Sequence, residues 1–133
     1  MDARKTAVAR ACLESAEDNT MTFPQIAGTL IEEGFEGYMV DFRRAAATYY
    51  GADGDSVELP MRRVDIPVAP ALDAAALQSA IREAQQLASS YTYEGFCRKA
   101  ASSGVAGYLV SFSGRRALYF SRAAEIHVER FPD

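Results

Sequence analysis

The sequence has one histidine and two cysteines in 133 residues, and that scarcity removes most familiar chemistry. Cys12 and Cys97 fit neither a metal-ligand spacing nor a disulfide framework, so both read as small buried hydrophobes. Gly-rich phosphate loops, nucleophile elbows and His/Glu metal motifs are missing, which removes the usual reasons to propose a metal, a cofactor or a catalytic centre without excluding an enzyme. No run approaches the ~18 apolar residues of a membrane span, and no N-terminal stretch resembles a signal peptide. The expected compartment is a reducing cytoplasm. A net charge of −4 argues against nucleic acid or an anionic membrane as partner.

What the chain does have is a repeat. Gly37-Tyr38-Met39-Val40-Asp41-Phe42 returns as Gly107-Tyr108-Leu109-Val110-Ser111-Phe112, and a shift of 70 aligns 22–50 with 92–120 without a gap. Such self-similarity is a statement about architecture before it is one about chemistry.

Residues 3–17 carry Ala7, Val8, Ala11, Cys12 and Ala16 at helical spacing. Thr22 with Gln25 predicts a capping box, Pro24 fits the first turn, and Phe23, Ile26, Ala27, Leu30 and Ile31 form one apolar stripe closed by Gly34. From Gly37 the period changes to 2, placing Tyr38, Val40 and Phe42 on one face and Met39 and Asp41 on the other. A turn at 43–45, a strand at 46–50, a turn at 51–55 and a short strand at 57–59 follow. Pro60, Pro67 and Pro70 forbid a helix in the connector 60–70, though 64–68 could pair as an edge strand.

The second half repeats this plan. Asp73 caps a helix with the stripe Leu77, Ala80, Ile81, Ala84, Leu87 and Ala88, ended by Ser89-Ser90. Thr92 caps another helix, with Tyr93, Phe96, Cys97, Ala100 and Ala101 in its stripe and Gly104 at its end. Strands at 107–112 and 116–120 follow, then a tail whose alternation of Ile126/Val128 against His127/Glu129 predicts a third strand. The expected fold is α+β: a duplicated helix-helix-strand-strand-strand unit (1–59 and 71–131) in one domain, a mostly antiparallel sheet with helices packed on one side.

Thr22-Phe23-Pro24, Gly34, Tyr38, Val40-Asp41-Phe42 and Thr48-Tyr49-Tyr50-Gly51, with Gly107–Phe112 in the second half, resemble the YbcV-like family of uncharacterised bacterial and prophage proteins. Its members are sometimes labelled phage envelope proteins. The resemblance lends no catalytic residues.

Candidate sites are few. Asp41 interrupts an apolar strand opposite Tyr38 and Phe42, and reads either as a solvated residue or as one lining a groove between halves, with Ser111 as its counterpart. Tyr50 and the lone His127, placed on the polar side of the last strand, complete a ligand-binding set. Arg43 and Arg44 in one hairpin turn and Arg115 and Arg116 in the other would grip an anion if a twofold set the turns side by side. Glu32, Glu33, Glu36, Asp53 and Asp55 read as solvated surface. Tyr38, Tyr108, Tyr49 and Tyr119 read as duplicated core. The expected function is a small non-catalytic binding or interaction module for a protein or small molecule. The rival is a small enzyme or ligand-binding protein with its site in the cleft between repeats, and a homodimer through exposed strand edges is a further expectation.

Overall fold

In the computed structural model, which describes residues 1–87 and 90–132, four polar side chains start the helices. Asp2 accepts from the Lys5 amide at 2.8 Å and begins α1 (Ala3–Glu17), and Asp73 accepts from the Ala76 amide at 3.0 Å to begin α3 (Ala74–Gln86). Thr22 and Gln25 close a full capping box on α2 (Phe23–Glu32), with the Thr22 amide donating to Gln25 Oε1 at 2.8 Å. Thr92 begins α4 (Tyr93–Ser102). Each such bond satisfies an amide the helix itself leaves without a partner. Gly34 and Gly104, at φ +88° and +93°, turn the chain out of α2 and α4 into strands.

Those strands are β1 (Phe35–Asp41) and β4 (Val105–Ser111), followed by β2 (Ala46–Gly51) and β3 (Ser56–Pro60), and by β5 (Arg116–Ser121) and β6 (Ile126–Arg130). All six join one antiparallel sheet in the order β3-β2-β1-β4-β5-β6. Each half therefore supplies three strands and two helices, and the halves meet along β1 and β4. The register there is self-referential: Met39 faces Leu109, its own counterpart in the repeat. An approximate twofold axis thus passes through that pair, and the flanking bonds obey it. The Phe42 amide reaches the Ala106 carbonyl at 2.9 Å, and the Phe112 amide reaches the Glu36 carbonyl at 3.0 Å.

Directly paired residues in an antiparallel sheet share a face. One face carries Tyr38, Val40, Ala47, Tyr49, Leu59, Tyr108, Val110, Ala117 and Tyr119, all buried under the helices with Ile26, Leu30, Leu77, Ile81 and Phe96. The other face has no helix on it. The halves are tied again in the helical layer, where Asn19 after α1 accepts from the Tyr93 amide of α4 at 3.0 Å.

Several details depart from what the sequence predicts. Phe23 and Ile31, assigned to a buried stripe, are exposed, because α2 presents only Ile26 and Leu30 fully to the sheet. Phe23 instead packs edge-on against Phe131 at 5.3 Å. Leu87 turns left-handed (φ 48°) at the end of α3 and is exposed; Ala88 and Ser89 lie outside the described residues. Residues 64–68 join no strand. The connector instead spends its backbone elsewhere, with the Ala69 amide on the Ala101 carbonyl and the Leu72 amide on Glu125.

The repeated glycines Gly37 and Gly107 are required by close approach. A Cβ on Gly37 would collide with the Val110 carbonyl, and one on Gly107 with the Val40 carbonyl and, at 2.6 Å, with the ring of Phe120. Both clashes lie on backbone of the central strand pair, which cannot yield cheaply. Gly107→Ala is therefore expected to lower unfolding free energy by about 1–3 kcal/mol, as overpacking does. Gly28, where an added methyl would meet nothing within 4 Å, is the control. Urea titration of Gly107→Ala against Gly28→Ala checks this, and equal stability would refute it.

Candidate functional site

The residues singled out in the sequence do not converge. Asp41 and Ser111 sit at the ends of β1 and β4, facing Gly107 and Gly37 respectively, four residues apart along the ladder or about 13 Å. Each serves its own hairpin. Asp41 Oδ1 accepts from the Arg43 and Arg44 amides at 3.0 and 3.2 Å, and Ser111 Oγ accepts from the Gly114 amide at 2.9 Å. These bonds hold turns whose last residues, Ala45 and Arg115, are left-handed at φ 50° and 51°. The position where the repeats differ in charge thus performs one local task in both.

The arginine turns are likewise separated. Because β1 and β4 run antiparallel, the turn after β1 and the turn after β4 lie at opposite ends of the sheet. Arg44 pairs with Glu58 at 3.4 Å, Arg116 Nε donates to the Gly114 carbonyl at 2.9 Å, and Arg115 reaches the Pro132 carbonyl at 3.3 Å. The Arg43 carbonyl accepts from Arg63. The turns are not set side by side for one anion.

Tyr50 lies on the helix-free face, paired with Gly37 and Ser56. His127 is elsewhere and reversed. Its cross-strand neighbour is Tyr119, whose ring is buried under the helices, so His127 and Glu129 point to the covered face while Ile126 and Val128 point to the open one. Gln85 of α3 donates to Glu129 at 3.3 Å. His127 Nε2 is shut off from solvent without a hydrogen-bond partner; Glu129 Oε2 stands 3.5 Å away, an ion-pair distance too long for a hydrogen bond.

Between α1, the connector and α4 lies a cleft of about 150 Å³, and it does bridge the halves. Glu17, Arg62, Arg63 and Glu94 form its rim, with Tyr93 and Cys97 at its floor. The rim is occupied by its own ion pairs: Arg62 holds Asp18 at 2.7 Å, and its amide donates to Glu17 at 2.7 Å. Burial pushes the Cys97 thiol up to about 12, so it stays protonated and is a poor nucleophile. The Tyr93 and Tyr108 hydroxyls share a 2.7 Å hydrogen bond beneath it.

The open face is the larger feature, and periodicity did not single it out. One cross-strand ladder runs Glu58-Thr48-Met39-Leu109-Leu118-Val128 over the whole sheet. It is polar at the first-half end and apolar from Met39 onward. Phe120 lies over Gly107 beside it, next to Ile126. Leu109, Val128 and Ile126 are 39%, 40% and 61% exposed. Arg116 and Arg130, themselves paired, border the apolar strip on the same face. The signal available in sequence was the second half's Leu118 and Val128 standing where the first half has Thr48 and Glu58.

The covered face is a packed phenol layer. Tyr38 stacks on Tyr49 at 5.3 Å and meets Tyr108 edge-on at 6.3 Å, and Tyr108 lies 5.4 Å from Tyr119. Burial raises the phenols of Tyr38, Tyr49, Tyr93, Tyr108 and Tyr119 above their ordinary value of 10.0. The folded state therefore holds these protons more tightly than the unfolded chain. The associated stability is complete below the unfolded phenol value and is lost as pH climbs past it toward the folded values. Unfolding free energy should be level from pH 7 to about 8, then fall as the buried Cys12 and Cys97 thiols and, above about 10, the phenols come to ionise only on unfolding, by about 1.4 kcal/mol per pH unit for each such group. Urea titrations at pH 8 and pH 11 check this; equal values would contradict a buried phenol layer.

Tyr38→Ala or Tyr108→Ala is expected to cost about 3–5 kcal/mol, the range for truncating a buried aromatic. Tyr93→Phe leaves one hydroxyl unpaired and should cost about 1–3 kcal/mol. Thermal and urea unfolding of the three variants measure both, and unaltered stability in the alanine variants would refute the core assignment.

A search of curated proteins finds no match to this chain. Residues 11–130 match the family described as Protein of unknown function (DUF1398), and the chain belongs to that family.

Proposed function

We propose that the chain is a non-catalytic binding module whose helix-free sheet face receives a partner protein. The observation that carries this is the apolar half of the open ladder, Met39-Leu109-Leu118-Val128 with Phe120 and Ile126, left uncovered on an otherwise well-buried sheet. Contiguous exposed apolar area of this kind marks interaction surfaces. Arg116 and Arg130 along its border select the partner's chemistry: an apolar strip flanked by Asp or Glu side chains. A cytoplasmic setting and membership of the YbcV-like bacterial or prophage group belong to the same proposal. They are supported by the acidic balance of the chain and by the Thr22-Phe23-Pro24 and Gly37–Phe42 motifs. Among the described residues, no helix is long and apolar enough to cross a membrane.

The rival reading, a small ligand or small enzyme site between the halves, is supported by the Tyr93/Cys97 cleft. At about 150 Å³ that cleft is smaller than the ~300–1,000 Å³ of ordinary ligand pockets, and Arg62 on its rim is already paired with Asp18.

Selection of displayed random peptides on the purified chain separates the two. Peptides combining apolar residues with Asp or Glu are expected, and the Met39→Lys/Leu109→Lys double variant should weaken them at least roughly tenfold, about 1.4 kcal/mol. Amide shifts on titration should fall on β1, β4 and β5. Binders indifferent to that variant, or shifting Arg62–Val64 and Tyr93–Cys97 instead, would overturn the open-face reading.

A further inference from the structure

The duplicated sheet ends in two edges, β3 and β6, that are counterparts in the repeat. They are finished differently. In β2–β3 the bonded pairs include Gly51/Asp55 and Ala45/Met61, so Ser56, Glu58 and Pro60 turn their backbone groups outward. Pro60 has no amide hydrogen to offer there. Placing Glu58 opposite a second Glu58 would also set like charges face to face, which is destabilising. This is a blunted edge of the kind that keeps sheets from joining.

In β5–β6 the equivalent bonds run between Ser121 and Glu125 and between Arg115 and Phe131, so Ile126, Val128 and Arg130 turn outward. All three have amide hydrogens, and none bonds another backbone group among the described residues. The edge is open.

The strand is also complementary to itself. We propose that β6 pairs with β6 of a second copy of this chain, antiparallel and centred on Val128, joining two six-stranded sheets into one. In that register the outward residues match: Val128 exchanges both backbone bonds with the partner's Val128, and Ile126 does so with the partner's Arg130. Between them, His127 stands opposite the partner's Glu129 and Glu129 opposite the partner's His127. These are non-bonded pairs, in which opposing side chains come closest, with Cα atoms about 4.5 Å apart. The pairing sets the partner's Glu129 across from the half-buried His127 ring, whose own Glu129 stands at 3.5 Å. A one-residue slip would oppose Val128 to charge and break both His–Glu pairs, so the alternation Ile-His-Val-Glu-Arg sets the register as well as permitting the contact. Exposed Val128 then lies beside its copy on the open face, with exposed Ile126 across from the partner's Arg130.

The contact uses the edge, and its test does not depend on whether the open face binds a partner. Val128→Cys places two cysteines opposite one another at about 5.5 Å between Cα atoms, inside the range a disulfide spans. Glu58→Cys is the counterpart on the blunted edge. Cys12 and Cys97 are buried and give no background. Wild-type chain should sediment as a concentration-dependent dimer. Mild oxidation should link Val128→Cys into a dimer at least roughly tenfold faster than Glu58→Cys. Val128→Pro removes one outward donor without touching a bond to β5, so it should sediment as a monomer with an unchanged circular dichroism spectrum. A wild-type monomer across the concentration range, equal cross-linking at the two edges, or a folded Val128→Pro dimer would each overturn the proposal. If Val128→Pro fails to fold, the cysteine pair and the wild-type sedimentation decide.

Discussion

Everything in this chain hangs on the antiparallel meeting of β1 and β4 at Met39 and Leu109. A three-stranded half with two helices leaves the first strand of its sheet unpaired, and each half meets that need with the other's first strand. The approach is close enough that Gly37 and Gly107 must be bare, since a methyl on either would enter the carbonyl of the facing strand. Once that pair is formed, the remaining geometry follows. Hairpin turns are sent to opposite ends, all four helices fall on one face, and the third strand of each half becomes an edge.

Polar residues near this axis are consumed locally. Asp41 and Ser111 each satisfy turn amides in their own hairpin, and Asn19 secures the start of α4. The hydroxyls of Tyr38, Tyr49, Tyr93, Tyr108 and Tyr119 are buried beneath helices, with Tyr93 and Tyr108 bonded to each other. A buried hydroxyl with a partner is stabilising. The surfaces left uncovered are an open sheet face, two strand edges and the small cleft over Tyr93 and Cys97.

Helices α2, α3 and α4 and their starts were legible because they depend on neighbours in sequence, a capping Thr or Asp and a 3.6-residue stripe; α1 was legible as a helix, but it buries Ala9, Cys12 and Leu13 and leaves the expected Ala7 and Ala11 exposed. The β1 and β4 strands were legible for the same reason, through their period of 2 and the repeat. What escaped is set by partners distant in the chain. The tail Ile126-His127-Val128-Glu129 alternates as a half-buried strand should, and the natural reading turns its apolar residues inward. Register with β5 decides otherwise, because His127 must follow Tyr119 to the covered face. Side-by-side arginine turns were a reasonable outcome of a twofold axis, but an axis normal to the sheet separates them. The open face was hidden because its members are scattered at alternate positions over several strands, and only the pairing of Met39, Leu109, Leu118 and Val128 assembles them.

Duplication makes two of everything, so the functional content of a duplicated chain lies where the copies have diverged without cost to the shared core. Divergence at Asp41/Ser111 is conservative in role, as both accept from turn amides. Divergence at the outer ladder is different in kind. Thr48 and Glu58 in one half stand where Leu118 and Val128 stand in the other, and Pro60 stands where Arg130 does. None of these side chains belongs to the buried layer under the helices, so none is constrained by packing. One half has thus acquired a solvated face and an edge without a full set of donors; the other keeps an apolar face and an edge able to pair. An edge left open on one side only is what the proposed β6 pairing would use, since an edge of that kind invites pairing with another strand.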